Sequence, residues 1–73
     1  MPRKSEPHLA NRIREVRTAA GLSQEELAGR VQVTRQTIIA LEGGAYTPSL
    51  ALALRLAEVF RQRVEELFWF ETE

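Results

Sequence analysis

Cysteine is absent from this chain, which excludes disulfide scaffolds, Cys-containing zinc fingers and thiol catalysis. The single histidine, His8, supports neither a metal site nor a nucleophile triad. It reads as a solvated residue near a helix start, and no metal or cofactor is expected. No run of 18 apolar residues exists, so no membrane-spanning segment is expected. The leading residues, Met1-Pro2-Arg3-Lys4-Ser5-Glu6-Pro7, lack the apolar core of a secretory signal. Together these absences give the expectation of a soluble cytoplasmic protein, in a prokaryote one of the nucleoid-bearing cytosol. Net charge is missing as well. Ten basic side chains balance ten acidic ones, which argues against crude, non-specific binding to polyanions.

The distribution of charge says more than its sum. Residues 1–35 carry seven basic side chains against four Glu, and residues 36–73 carry three against six, so the halves stand at +3 and −3. Such segregation suits a protein that turns one basic face to a polyanion, although it also arises by accident. A length of 73 residues allows a single domain, 1–73, and a hydrophobic fraction of 44% is ordinary for a globular one. A small domain without staples depends on well-packed helices.

Helical periodicity runs through the chain, and no strand pattern is evident. Leu9, Ile13, Val16 and Ala20 lie on one stripe of a first helix, about 7–20, which Gly21 ends. Ser23 and Glu26 form a capping box before a second helix, 24–31, with Leu27, Ala28 and Val31 inward. Thr34 caps a third, 35–42, with Ile38 and Leu41 inward and Gly43-Gly44 as its stop. Pro48-Ser49 opens a fourth, about 49–60, apolar over most of its circumference and therefore central or in contact with another subunit. A last helix is expected over about 64–70. The fold class is accordingly all-α, a five-helix bundle.

Residues 24–43 carry the functional signal. Two short helices are joined by about three residues, with a small Ala28 where crossing helices must approach closely and Val33 closing the gap. This is a helix-turn-helix pattern. The outward residues of its second helix are Arg35, Gln36, Thr37 and Ala40, and the first turn is the end that enters a major groove. Arg can pair bidentately with guanine, Gln with adenine, and the methyls of Thr and Ala can touch that of thymine. Ser23, Gln24 and Thr34 open the two helices, where free N–H groups and the helix dipole favour a phosphate.

Gln24-Glu25-Glu26-Leu27-Ala28, Val33-Thr34-Arg35-Gln36-Thr37-Ile38, Leu41-Glu42-Gly43 and Tyr46-x-Pro48-Ser49-Leu50 resemble, in order and spacing, the Cro/repressor-type helix-turn-helix family, also called the xenobiotic-response-element family. The resemblance spans residues 9–68. It implies a repressor-like DNA-binding domain in which positions 35, 36, 37 and 40 face bases. It implies phosphate contacts at 23, 24, 34 and 43–46, thus at Gly43, Gly44 and Tyr46; Tyr46 also reads as a loop anchor. It implies a structural ion pair between Arg17 and Glu42. Three positions depart from the pattern. Gln32 stands where Gly is usual, at a backbone cost of ~1–2 kcal/mol; Ala40 replaces a long polar base reader; Arg63 replaces a Ser, Thr or Pro helix start.

Phe68-Trp69-Phe70, on a helix, could not all face one small core. With Leu52, Leu56, Val59 and Leu67 they are expected to form a dimer surface, the alternative being that the tail folds back over its own bundle. The function that follows is sequence-specific regulation of transcription by a homodimer on double-stranded DNA, at a pseudo-palindromic operator. An alternative of another class is a protein-binding antitoxin or adaptor that uses the aromatic surface. An enzyme is not expected, because the required constellation of titratable groups is missing.

Overall fold

Residues 8–71 are described in the computed structural model of the chain. Strand β1 (His8–Asn11) leads into helix α1 (Ile13–Ala19). Helices α2 (Gln24–Val31), α3 (Arg35–Glu42), α4 (Leu50–Phe60) and α5 (Val64–Leu67) follow, and strand β2 (Phe68–Glu71) closes the order. Each long helix begins at the residue its cap dictates. The Ser23 hydroxyl accepts from the Glu26 N–H at 3.0 Å while the Glu26 carboxylate accepts from the Ser23 N–H at 2.8 Å. Thr34 accepts from the Thr37 N–H, and Ser49 from the Leu52 N–H. At α5 the Glu66 carboxylate takes the Arg63 N–H at 2.7 Å, the work that a Ser or Thr cap would share.

The core is one cluster drawn from every helix. Ile13, Leu27, Val31, Ile38, Leu41, Leu56 and Leu67 are fully buried, with Ala28, Leu52, Ala53 and Phe68 nearly so. Ala28 is buried, and its carbonyl accepts the N–H of Val33 at 3.0 Å, which draws the turn back onto α2.

The ends of the chain depart from the all-α expectation. The Pro7 start of the first helix lies outside the described residues. Within them, residues 8–11 are not helical but extended. They pair antiparallel with β2, His8 opposite Glu71, Leu9 opposite Phe70, Ala10 opposite Trp69 and Asn11 opposite Phe68. The Asn11 side chain makes the break: its Oδ1 accepts from the Ile13 N–H and its Nδ2 donates to the Leu41 carbonyl, both at 3.0 Å. The Arg12 N–H donates to the Leu67 carbonyl at 3.0 Å, which ties the entry to α1 to the exit of α5. The last helix correspondingly ends at Leu67 rather than at 70, because Phe68 is already extended. Three successive aromatics favour a pleated strand, whose alternate side chains point to opposite faces. Such a short ribbon is marginal alone in water. Here Phe68 and the half-buried Leu9 anchor it on the core, and the Arg12 guanidinium lies 5.1 Å over the Trp69 ring.

The tail thus folds back over its own bundle. Leu52, Leu56, Leu67 and Phe68, expected at a dimer surface, are buried within the chain itself; Val59 and Trp69 are half-buried and Phe70 is exposed. The exposed stripe of α4 is instead Leu50 and Leu54, 72% and 54% exposed. The apolar arc of α4 is wider than the contact it makes, and packing selects the flank that carries 52, 53 and 56.

Gln32, the C-cap of α2, has φ +64, so the position that usually holds glycine is left-handed here too. Gln32→Gly is therefore expected to raise stability by about 0.5–1 kcal/mol, the left-handed penalty less glycine's own entropy cost. Urea denaturation of the two proteins measures this, and a lower midpoint for the glycine variant would contradict it.

Candidate nucleic-acid interface

Helix α3 stands on the core through Ile38 and Leu41, which points its opposite side outward. Arg35 and Gln36 are exposed in its first turn, and Ala40 is half-buried one turn on. Thr37 is turned to the flank: its Oγ1 lies 3.2 Å from the Thr34 Oγ1, and its N–H donates to that same hydroxyl. The fold therefore brings Arg35, Gln36 and Ala40 onto one outward surface and engages Thr37 and Thr34 with each other. Ile39, to which the pattern assigned no role, is also on the outward side, 39% exposed. A helical wheel carries the signal for it, since position 39 follows 35 by one turn.

The start of α2 borders a shallow concavity of about 300 Å³, lined by Arg17, Ser23, Gln24, Glu25 and Arg35. The Ser23 oxygen accepts the capping bond from the Glu26 N–H, which leaves its O–H free to donate. Gln24 is half committed, its Nε2 donating to Glu42 at 3.1 Å, which leaves one amide hydrogen. Gly43, Gly44 and Tyr46 are exposed in the segment after α3, with Gly44 left-handed at φ +80.

Behind this surface lies the Arg17–Glu42 pair. The Arg17 Nε and terminal N–H groups donate to the two Glu42 oxygens at 2.6 and 3.2 Å, a bidentate contact, and its other terminal nitrogen donates to the Leu22 carbonyl at 2.9 Å. Arg14 approaches Glu42 at 3.8 Å from the solvent side. The Glu42 side chain is 1% exposed and that of Arg17 11%. Burial works against the charge on Glu42. The hydrogen bonds from Arg17 and Gln24, with the charges of Arg17 and Arg14, outweigh it and hold the carboxyl below its ordinary value. The sequence pattern implied the pair but not Gln24, Arg14 or Asn11, whose partners stand 18 or more residues away in the chain for Gln24 and Asn11.

Two short helices crossing over a three-residue turn, with an exposed first turn on the second, define the class: a helix-turn-helix domain. The Helix-turn-helix family model matches residues 13–67, and the chain belongs to that family. An uncharacterised HTH-type transcriptional regulator of Archaeoglobus fulgidus is 52% identical over 65 residues, 89% of this chain and 93% of that protein. The uncharacterised HTH-type transcriptional regulator YgzD of Bacillus subtilis is 46% identical over 65 residues, 89% and 98% of the two. Among solved structures, the restriction-modification controller protein C.AhdI from Aeromonas hydrophila superposes with a TM-score of 0.71 at 42% identity, covering 78% of this chain and 83% of that one. These are regulators by name, not enzymes. No described helix is long and apolar enough to cross a membrane.

The depressed pKa of Glu42 makes stability depend on pH. Its contribution is full above the ordinary value of 4.5 and is lost as pH falls through the lower folded-state value. Thermal melts between pH 7 and pH 3 should show this acid loss, and Glu42→Gln should flatten it. At pH 7, Arg17→Ala leaves Glu42 buried without its partner and should cost about 3–5 kcal/mol. A pH profile unchanged by Glu42→Gln would contradict the assignment.

Proposed function

We propose that this protein is a sequence-specific DNA-binding regulator of transcription that acts as a homodimer, each protomer placing α3 in a major groove of a pseudo-palindromic operator. The observation that carries this is the exposed first turn of α3, where Arg35 and Gln36 stand side by side on a rigid base of Ile38 and Leu41. Both side chains can bond bidentately to base edges, Arg donating twice to guanine, and Gln donating to N7 and accepting from N6 of adenine. The naming of the relatives as transcriptional regulators supports the same conclusion.

The concavity beside Arg35 suits a backbone phosphate. Arg17 lines it but is paired with Glu42, and Glu25 in the lining offsets the charge of Arg35, so what the concavity offers is hydrogen-bond donors rather than net charge. The first N–H groups of α2 and the second amide hydrogen of Gln24 supply donors at the positive end of a helix dipole. Glu42 thereby positions Gln24 for its phosphate. Gly43, Gly44 and Tyr46 offer a second exposed segment to the adjoining strand.

For the dimer, the surface that remains free is not the buried leucines of α4 but its outer stripe, Leu50 and Leu54, with Phe70 at 69% exposure as a third large apolar side chain. We assign the α4 stripe to a second copy of the chain. A two-fold contact is self-complementary, and two leucines at i and i+4 can pack against their own symmetry mates. Two-fold symmetry would set the half-sites about 34–36 Å apart on one face of the DNA.

Selection of bound duplexes from a random library at fixed salt tests the base-reading role. Wild type should enrich a palindrome, and Gln36→Ala should blur one symmetric position while unfolding at the same urea concentration as wild type. Enrichment unchanged by Gln36→Ala would remove that residue from the interface. Sedimentation equilibrium tests the second assignment: Leu54→Glu should shift dimer to monomer without loss of helicity, and an unchanged mass would refute it.

A further inference from the structure

The outward side of α3 is chemically divided along its length, and its second half has no polar group with which to contact DNA. Successive residues turn by about 100°. Arg35 and Ile39 therefore follow each other on one row, and Gln36 and Ala40 on the next. The first turn presents a guanidinium and an amide. The second presents a branched aliphatic chain and a methyl. Ile39 is 39% exposed although Ile38, its neighbour, is completely buried. On the same outward side as the exposed Arg35 and Gln36, this isoleucine is placed to meet an apolar group on whatever surface those two side chains contact. The floor of a major groove contains a single apolar group, the C5-methyl of thymine.

We infer that Ile39 is a specificity-determining residue that reads a thymine methyl, with Ala40 beside it allowing the close approach. The inference rests on the DNA-contacting role of α3 proposed above. Four residues at about 1.5 Å each put Ile39 about 6 Å along the helix from Arg35, against about 3.4 Å between base pairs, so the thymine falls one or two pairs from the base that Arg35 contacts. Shape and burial do the discriminating. Cytosine at that position lacks the methyl, and the polar edges of guanine would leave their donors and acceptors facing hydrocarbon, unpaired. The two rows thus divide the labour: hydrogen bonds in the first turn, hydrophobic contact in the second.

The test is methyl deletion on the DNA. Each thymine of the selected duplex is replaced in turn by uracil, which removes the methyl and keeps every hydrogen-bonding group. Dissociation constants are measured at fixed salt for wild type, Ile39→Ala and Ile39→Val. For wild type, uracil at one symmetric pair of positions should weaken binding about fourfold per half-site, the worth of one buried methyl. Ile39→Ala should bind the thymine duplex more weakly and no longer distinguish uracil from thymine there. Ile39→Val should retain most of the distinction. Ile39 is not part of the buried core, so all three proteins should give the same circular dichroism spectrum and be fully folded at the assay temperature. Indifference of wild type to every uracil substitution, with the palindrome still bound, would overturn the role of Ile39 and leave that of α3 standing. A change of sedimenting mass in Ile39→Ala would also overturn it, by placing Ile39 in a contact between protomers. Absence of any enriched sequence for the folded wild type would overturn the parent proposal and this one with it.

Discussion

Glu42 organises the domain from a position almost without solvent. It is the last residue of α3, yet it receives Arg17 from α1 and Gln24 from the first turn of α2, and Arg14 closes over it. Three elements thereby converge on one carboxylate. The geometry matters more than the net energy. A buried pair of this kind adds little to stability compared with a well-packed apolar substitute, but an unpaired member is costly, so any arrangement that separates α1, α2 and α3 is disfavoured. Arg17 extends the hold by donating also to Leu22, the residue that leads into α2. The placement of α3 on the core follows from these contacts and from its buried Ile38 and Leu41. The exposed Arg35 and Gln36 inherit that placement.

The helices are short, and caps rather than length define them. An isolated helix of eight residues is unstable in water, because nucleation is unfavourable and few bonds reward it. Here α2 and α3 each have eight residues. They persist because Ser23, Thr34 and the packed faces satisfy their ends and bury their apolar stripes. The first turn of α3 is thus at once a capped helix start and an exposed face. Thr37 shows the competition: it shares the Thr34 hydroxyl network rather than standing free beside Gln36.

Most of the central architecture was legible without coordinates. Helices 24–31 and 35–42 coincide with the expected spans, and the capping box and the Thr34 cap are in place. These features depend on residues within four or five positions of one another, where side-chain geometry leaves few choices. The Arg17–Glu42 pair lies 25 residues apart and was legible only through resemblance to a family. Strands β1 and β2 are not legible in the sequence for the complementary reason. Leu9 keeps helical spacing to Ile13, and Phe68, Trp69 and Phe70 follow a helix, but a strand forms when an extended partner is in reach. That partner lies at the other end of the chain.

Local propensity thus settled where the inner helices begin, cap and turn, and which of their faces is apolar, because short-range hydrogen bonds and helical periodicity are written in neighbouring residues. Contacts distant in sequence settled the rest. The pairing of β1 with β2 makes residues 8–11 and 68–71 ribbon where helix is expected. The fit of α4 against the bundle buried Leu52 and Leu56 and left Leu50 and Leu54 outside, although all four belong to one broad apolar arc. The bond from Asn11 to Leu41 stopped α1 short. Each of these outcomes is a choice between local conformations of similar energy, and burial and hydrogen bonding against a remote segment are large enough to make it.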